Sequence, residues 1–219
     1  MSVAETGAPI ALDVADGVAR LRLNRPEASN GMNVEFLKAL HEAALACHAD
    51  PAVRVVLLTG EGRNFCAGGG GLGWVSASDI VIAARSAKFF SGAVRVGMAP
   101  DGGASVTLAQ LVGLRQALRI LLTNPTLSAT EALQIGLVTE VVDDAELFSR
   151  AEQVATELAA MPPRALSATK RLVWSGLGAS VEQRLAEEAR TVSELSGTAD
   201  ALEGLRAVIE RREPNFTGQ

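Results

Sequence analysis

The sequence predicts an α/β fold whose last third is built from helices alone. Three observations carry this. Between Ile10 and Thr59 a hairpin pattern, a helix pattern and an apolar run follow one another, the order of a β-α-β unit. From Ala145 onward the apolar spacing is helical almost to the end. Between these regions lies Asn64-Phe65-Cys66-Ala67-Gly68-Gly69-Gly70-Gly71-Leu72-Gly73-Trp74, and five glycines fall in its middle.

The first element is the hairpin. Ile10 to Val14 and Val18 to Leu23 flank Asp16-Gly17, a pair suited to the positive φ of a tight turn. Arg20 and Arg22 alternate with Ala19, Leu21 and Leu23, so one face is predicted buried. Asn24-Arg25-Pro26 ends the strand, and Pro26 to Met32 has no periodic pattern. Asn33 is a helix N-cap with Glu35 in the first turn. Phe36, Leu37, Leu40, Ala44 and Cys47 form the expected apolar stripe of that helix. His41 and His48 lie on the same helix, but no Cys, Asp or Glu completes a metal pattern with them, so solvated histidines are expected. Asp50-Pro51 closes the helix. Val53 to Thr59 reads as a strand buried on both faces of a parallel sheet.

Past the glycines, Asp79 to Ala84 and Lys88-Phe89-Phe90 read as strands, and Val94 to Pro100 as a loop. Asp101-Gly102-Gly103-Ala104-Ser105 leads into a helix ended by Gly113, and Leu114 to Leu122 is a second helix. Ser128-Ala129-Thr130-Glu131 is a capping box, Gly136 ends its short helix, and Leu137 to Val142 is a strand. Helices follow over 145–160, 165–174, 180–195 and 198–211. The change from mixed to all-helical composition places the domain boundary near Pro162: 1–162 as an α/β core, 163–219 as a helical region.

Bulk composition excludes several functions. Net charge is −5 and Lys and Arg are dispersed, so no basic stripe points to nucleic acid. Cys47 and Cys66 give no disulfide framework, as in a reducing compartment. No apolar run approaches the roughly 18 residues that span a bilayer, and Met1 to Pro9 lacks a signal-peptide core. A cytoplasmic protein without nucleic-acid or membrane partners is expected. There is no Tyr and there are two His, which shortens the list of catalytic groups.

The glycine run is the centre of the functional expectation. Taken alone, such a cluster is a flexible loop, but apolar runs bracket this one, as they bracket sites. Gly68, Gly70 and Gly73 also match the spacing of a dinucleotide fingerprint. The context is wrong for it: Gly60 to Phe65 separates strand from glycines, and the window around Ala93 holds no acid, the nearest being Asp101.

Leu23-Asn24-Arg25-Pro26, Phe65-Cys66-Ala67-Gly68-Gly69, Gly70-Gly71-Leu72-Gly73, Ser78-Asp79-Ile80, the loop Gly97 to Gly103, and Ala132-Leu133-Gln134-Ile135-Gly136-Leu137-Val138 together resemble the enoyl-CoA hydratase/isomerase (crotonase) superfamily, in order and over nearly the whole chain. The resemblance implies a crotonase-like β-β-α spiral core over 1–162 and a C-terminal helical region over 163–219 that packs trimers. It implies an acyl-CoA thioester substrate, with coenzyme A entering on the substrate and no other cofactor or metal. In that family several dozen residues, including a helix and a buried strand, separate the two glycine loops. Here the loops are fused, so that segment is expected to be absent between Gly68 and Gly71.

By the same resemblance, the backbone amides of Gly69 and Gly70 form an oxyanion hole, and Ala28, Ser29, Ala67, Gly68 and Gly71 line the CoA path. Trp74 either walls the acyl pocket or fills core. The two hydratase glutamates fall at Gly73 and Ala93, neither of which moves a proton. Asp101 then remains, at the position where dienoyl-CoA and ring-epoxide acyl-CoA isomerases carry an acid/base Asp and aryl-CoA dehalogenases a nucleophile. The dehalogenases also carry a Trp at the Ala93 position, which argues against them. Pro-Asp-Gly is equally a turn signal, so Asp101 has a purely structural alternative. Cys66 has no His or Asn pattern to make it a nucleophile and is expected as a small packed residue. The resulting expectation is an Asp-dependent acyl-CoA isomerase. The alternatives are a hydratase with an acid outside this sequence and a non-catalytic acyl-CoA binder. Leu185, Ala189, Val192 and Leu195 form a stripe expected to join copies, as a trimer or dimer of trimers with Phe216 reaching a neighbouring CoA site.

Overall fold

The computed structural model describes residues 7–68 and 70–219. Its contacts divide the chain into two units, Met1–Ala155 and Thr156–Gln219, with the seam a few residues before the Pro162-Pro163 break.

The first unit opens with β1 (Ile10–Ala15) and β2 (Val18–Leu23), an antiparallel pair in which Ile10 faces Leu23 and Ala15 faces Val18. The turn is the expected one: Asp16 and Gly17 take φ of 52° and 78°. Helix α1 (Val34–Ala49) starts where Asn33 Oδ1 accepts the Phe36 amide at 2.8 Å. It returns the chain to β3 (Val55–Gly60), parallel to β2 with Val18 opposite Val55. Ala19, Leu21 and Leu23 pack on Phe36 and Cys47, so the alternation of β2 decides which sheet face α1 covers. The α1 stripe is rotated from the sequence expectation. Ala39, Leu40 and Ala43 join Phe36 and Cys47, while Leu37 and Ala44 are exposed. His41 and His48 are exposed.

One expectation fails plainly. The β3 strand is not buried on both faces: it is half-buried, Val56 is 49% exposed, and among the described residues it pairs with β2 alone. Its composition is that of a central strand, but its place is an edge.

Helix α2 (Gly71–Ala77) follows, where glycines at 71 and 73 had suggested loop. The chain continues through β4 (Ile82–Ala84), β5 (Lys88–Phe89), a 3-10 turn Val94–Val96, α3 (Ala104–Val112), α4 (Leu114–Thr123), β6 (Leu127–Ser128), α5 (Ala129–Gln134) and β7 (Glu140–Val142). Residues 79–81 and 137–139, expected in strands, lie outside them. The pair β4–β7 is parallel and β5–β6 antiparallel. The capping box is present in full: Ser128 Oγ accepts the Glu131 amide at 3.2 Å and the Glu131 carboxylate accepts the Ser128 amide at 2.8 Å. Leu108, Ile120, Leu127, Ala129, Ala132 and Leu137 form the core of this half.

Helix α6 (Leu147–Ala159) carries the chain across the seam. The second unit holds α7 (Pro163–Gly176), α8 (Val181–Ser196) and α9 (Ala199–Glu210). Leu185, Ala189 and Val192 of the α8 stripe are exposed, as are Leu205, Val208 and Ile209 of α9. The C-terminal tail is tied to α9 by polar bonds. Buried Asp200 accepts the amides of Thr217 at 2.7 Å and Gly218 at 2.9 Å. Glu203 accepts the Arg212 guanidinium at 2.5 and 2.8 Å and the Asn215 amide at 2.9 Å. The Arg212 bonds, then the Asn215 amide, hold the Glu203 carboxyl down at about 2 against an ordinary 4.5. A carboxyl lowered by folding stabilises the chain above its unfolded value, and that stability drains as pH falls through the folded one. Glu203→Gln should therefore melt below the parent at neutral pH, with a gap that closes as pH drops from about 4.5 to about 2. A gap constant with pH in thermal melts would defeat this.

Candidate functional site

Three loops of the first unit meet at the glycine run. The first, after β2, forms a 3-10 turn over Pro26–Ala28 and then reverses through Ser29 and Asn30 at φ of 52° and 54°. The second leaves β3 at Gly60, where an added Cβ would strike Phe65 Cα at 2.7 Å, so the chain folds back on itself at once. Ser29 O accepts the Ala67 amide at 2.9 Å, and Ser29 Oγ accepts the Asn64 side-chain amide at 3.1 Å. Ala28 and Ser29 thus lie against the approach to Gly68. A Cβ on Gly68 would meet nothing within 4 Å, so that position faces open space.

The third loop carries Asp101. Gly70 has φ of 91° and opens α2; Gly102 and Gly103, at 59° and 85°, open α3. Asp101 and Gly70 are brought together. A Cβ on Gly70 would lie 3.2 Å from Asp101 Oδ1 and 2.7 Å from Met32 Cε. Asp101 is exposed, and among the described residues no hydrogen bond or ion pair engages its carboxylate. It is the sole Asp or Glu between Asp79 and Glu131. Gly69, the other expected oxyanion donor, lies outside the described residues.

Gly73 explains how the Asp101 loop is held. It is buried in α2, and an added Cβ would lie 2.6 Å from Gly102 O and 2.8 Å from Asp101 O. The helix and the loop touch backbone to backbone, which a glycine alone permits. A hydroxyl pair seals the contact: Ser76 Oγ and Thr107 Oγ1 are 2.6 Å apart and reach the Gly73 and Gly103 carbonyls at 3.0 and 3.1 Å. The same contact leaves no room for an acidic side chain at position 73. Ala93, at the start of the Val94–Val96 turn, offers none either.

Cys66 packs against Gly71, whose Cβ would meet the Cys66 Cβ at 2.9 Å, and its thiol donates to Gly68 O at 3.1 Å. Burial, with the nearby Asp101 charge adding to it, pushes the thiol pKa up, so it stays protonated. That is the behaviour of a packed residue. Trp74 stacks on Phe36, ring centroids 6.1 Å apart and 11° from parallel, and joins the core around α1. Phe216 belongs to the second unit and lies against Gly204 there.

Two features escaped the sequence. Asn30, fully buried, and the Ser76–Thr107 pair join segments far apart in the chain. The Asn-Gly dipeptide at Asn30-Gly31, a turn signal left unread in the sequence, could have pointed to the first; nothing in the sequence points to the second. Among the described residues no cluster of His, Cys, Asp and Glu is arranged to hold a metal, and no helix is long and apolar enough to cross a membrane. A groove of about 720 Å³ lies on the β1–β3 sheet face that bears Arg20 and Arg22, and its lining includes none of Gly68, Gly70, Gly71 or Asp101. Its arginines are engaged: Arg20 grips Glu152 at 2.8 Å, which raises the Arg20 pKa, and Arg22 lies 3.3 Å from Glu61. Surface ion pairs of this kind read as packing of the sheet surface rather than chemistry.

The family model described as enoyl-CoA hydratase/isomerase matches residues 13–69 and 68–219, so its two stretches meet at Gly68 and Gly69. The 1,2-epoxyphenylacetyl-CoA isomerase of Escherichia coli is 32% identical over 255 positions, covering 94% of this chain and 97% of that protein. The (E)-benzylidenesuccinyl-CoA hydratase of Thauera aromatica is 30% identical over 254 positions, covering 96% and 99%. Both alignments are longer than this 219-residue chain, so those relatives carry several dozen positions without a counterpart here. An enoyl-CoA hydratase structure from Mycobacterium tuberculosis superposes with a TM-score of 0.91 at 26% identity, covering 97% of this chain and all of that one.

Proposed function

Because this chain belongs to the enoyl-CoA hydratase/isomerase family of acyl-CoA enzymes and has the crotonase fold, we propose that it isomerises an enoyl- or ring-activated acyl-CoA through Asp101. The observation that carries the proposal is the Asp101 carboxylate beside Gly70, with no other acid within reach in the sequence around it.

The thioester carbonyl would accept from the Gly69 and Gly70 amides. Each such donor contributes around 3 kcal/mol where negative charge develops on oxygen. Asp101 would take a proton from the carbon beside the carbonyl, and the C–H electron pair would move into the thioester as an enolate. For a 3-enoyl substrate the double bond then shifts toward the thioester and Asp101 returns the proton to the far carbon. One carboxyl serves as base and then acid, and no water is consumed. Ala28, Ser29, Ala67, Gly68 and Gly71 would line the CoA path. No cofactor is needed beyond the coenzyme A of the substrate.

Hydration is the second candidate, favoured by the hydratase relative. The blocked position 73 weighs against a two-carboxylate hydratase. Incubation with 2-enoyl, 3-enoyl and arylacetyl-derived CoA thioesters separates the cases. Interconversion of 2- and 3-enoyl thioesters without water uptake is expected. A 3-hydroxyacyl product alone would make the protein a hydratase, and binding without turnover would make it a binder.

We propose also that copies assemble through the exposed apolar face of α8, as trimers or dimers of trimers, with Phe216 beside a neighbour's CoA site. Light scattering should give a mass at least three times that of one chain at micromolar concentration; a stable monomer would refute it.

A further inference from the structure

We infer that Asn30 is a positioning residue that clamps the loop after β2 to the loop after β3 and thereby sets the oxyanion loop against Asp101. This rests on the acyl-CoA reading above. Asn30 is 0% exposed although its loop lies at the surface. Its Oδ1 accepts the Arg25 amide at 2.8 Å, and its Nδ2 donates to Glu61 O at 3.0 Å and Asn64 O at 2.7 Å. Both donors of the side-chain amide are therefore spent on the other loop. The backbone at φ of 54° is one that Asn tolerates better than most residues.

The clamp reaches the site from both sides. On one side Ser29 O holds the Ala67 amide at 2.9 Å, one residue before Gly68. On the other, Met32 places its Cε 2.7 Å from where a Gly70 Cβ would be, beside the Asp101 carboxylate. Neither connecting segment is a regular strand or helix, so no ladder sets their register. Apolar contacts do not fix register either, because they are non-directional. Directional bonds from one buried amide do.

Asn30→Asp tests this. It keeps the size, the backbone preference and the acceptor for Arg25, but replaces the donating amide with an oxygen facing two carbonyls. Cinnamoyl-CoA is the probe: its conjugated thioester absorbs at longer wavelength when the carbonyl is polarised. The parent should show that red shift. The variant should fold with an unchanged circular dichroism spectrum and bind the probe within about threefold. It should lose most of the shift and at least about tenfold in kcat with KM nearly constant, a milder effect than the roughly hundredfold cost of a 1 Å misplacement. A parent that binds no thioester or shows no shift sinks the acyl-CoA reading itself. A normal parent with a variant of equal shift and kcat overturns the role of Asn30 alone. Asn64→Ala removes only the outer bond to Ser29 and should lose a smaller part of the shift. Should Asn30→Asp not fold, Asn30→Gly keeps the left-handed backbone and removes all three side-chain bonds: a full shift with parental kcat there overturns the clamp, and a reduced shift supports it.

Discussion

Asp101→Asn should fold, keep its affinity for CoA thioesters and lose isomerisation by at least about a hundredfold, the low end for an acid–base group. The side chain is exposed and makes no hydrogen bond or ion pair among the described residues, so the amide should cost almost no stability. What disappears is the ability to accept a proton at the atom that lies against Gly70. The loss should fall on kcat, because the oxyanion donors and the CoA path are untouched. Assay with a 3-enoyl-CoA, alongside thioester binding, decides it. Parental turnover in the variant would leave Asp101 as a turn residue before Gly102 and Gly103.

Gly73→Ala should destabilise the protein and disable it together. In an ordinary helix interior, alanine is better than glycine by about 1 kcal/mol. Here the added Cβ arrives 2.6 Å from Gly102 O and 2.8 Å from Asp101 O. Those atoms are backbone and cannot rotate aside, and overpacking of this kind costs roughly 1–3 kcal/mol. Steric cost should therefore exceed the propensity gain and lower the melting temperature. Relief comes by pushing the Asp101 loop away from Gly70, and a displacement near 1 Å is worth about a hundredfold in rate. A variant that melts higher than the parent and turns over normally would show that α2 and the loop are not in the contact described.

Much of the site was legible because its chemistry is short-range in sequence. Gly68 to Gly73 marked a place where backbone must come close, and Pro100-Asp101-Gly102-Gly103 marked a turn bearing the one acid of its region. That these two stretches face each other was not legible. It depends on α2, a helix of seven residues with glycines at 71 and 73 that propensity alone disfavours. Its packing on α3 and the Ser76–Thr107 bond hold it in place. Trp74 shows the same limit. Its type fits a pocket wall or a core equally, and only the ring of Phe36 6.1 Å away gives its partner.

By itself the sequence determined the local elements whose causes are local: the Asp16-Gly17 turn, the Asn33 cap, the Ser128–Glu131 capping box and the alternation of β2. A turn dihedral, a cap bond and a two-residue period are each settled within a few residues. The tertiary structure alone decided three things: the edge position of β3, the closeness of Asp101 to Gly70, and the burial of Asn30 between two loops. The apolar run of β3 asks for neighbours on both sides without saying whether the chain supplies them. A carboxylate or an amide likewise records its capacity to bond but not its partner. Partners are set by how distant segments pack, and that information is spread over the whole chain.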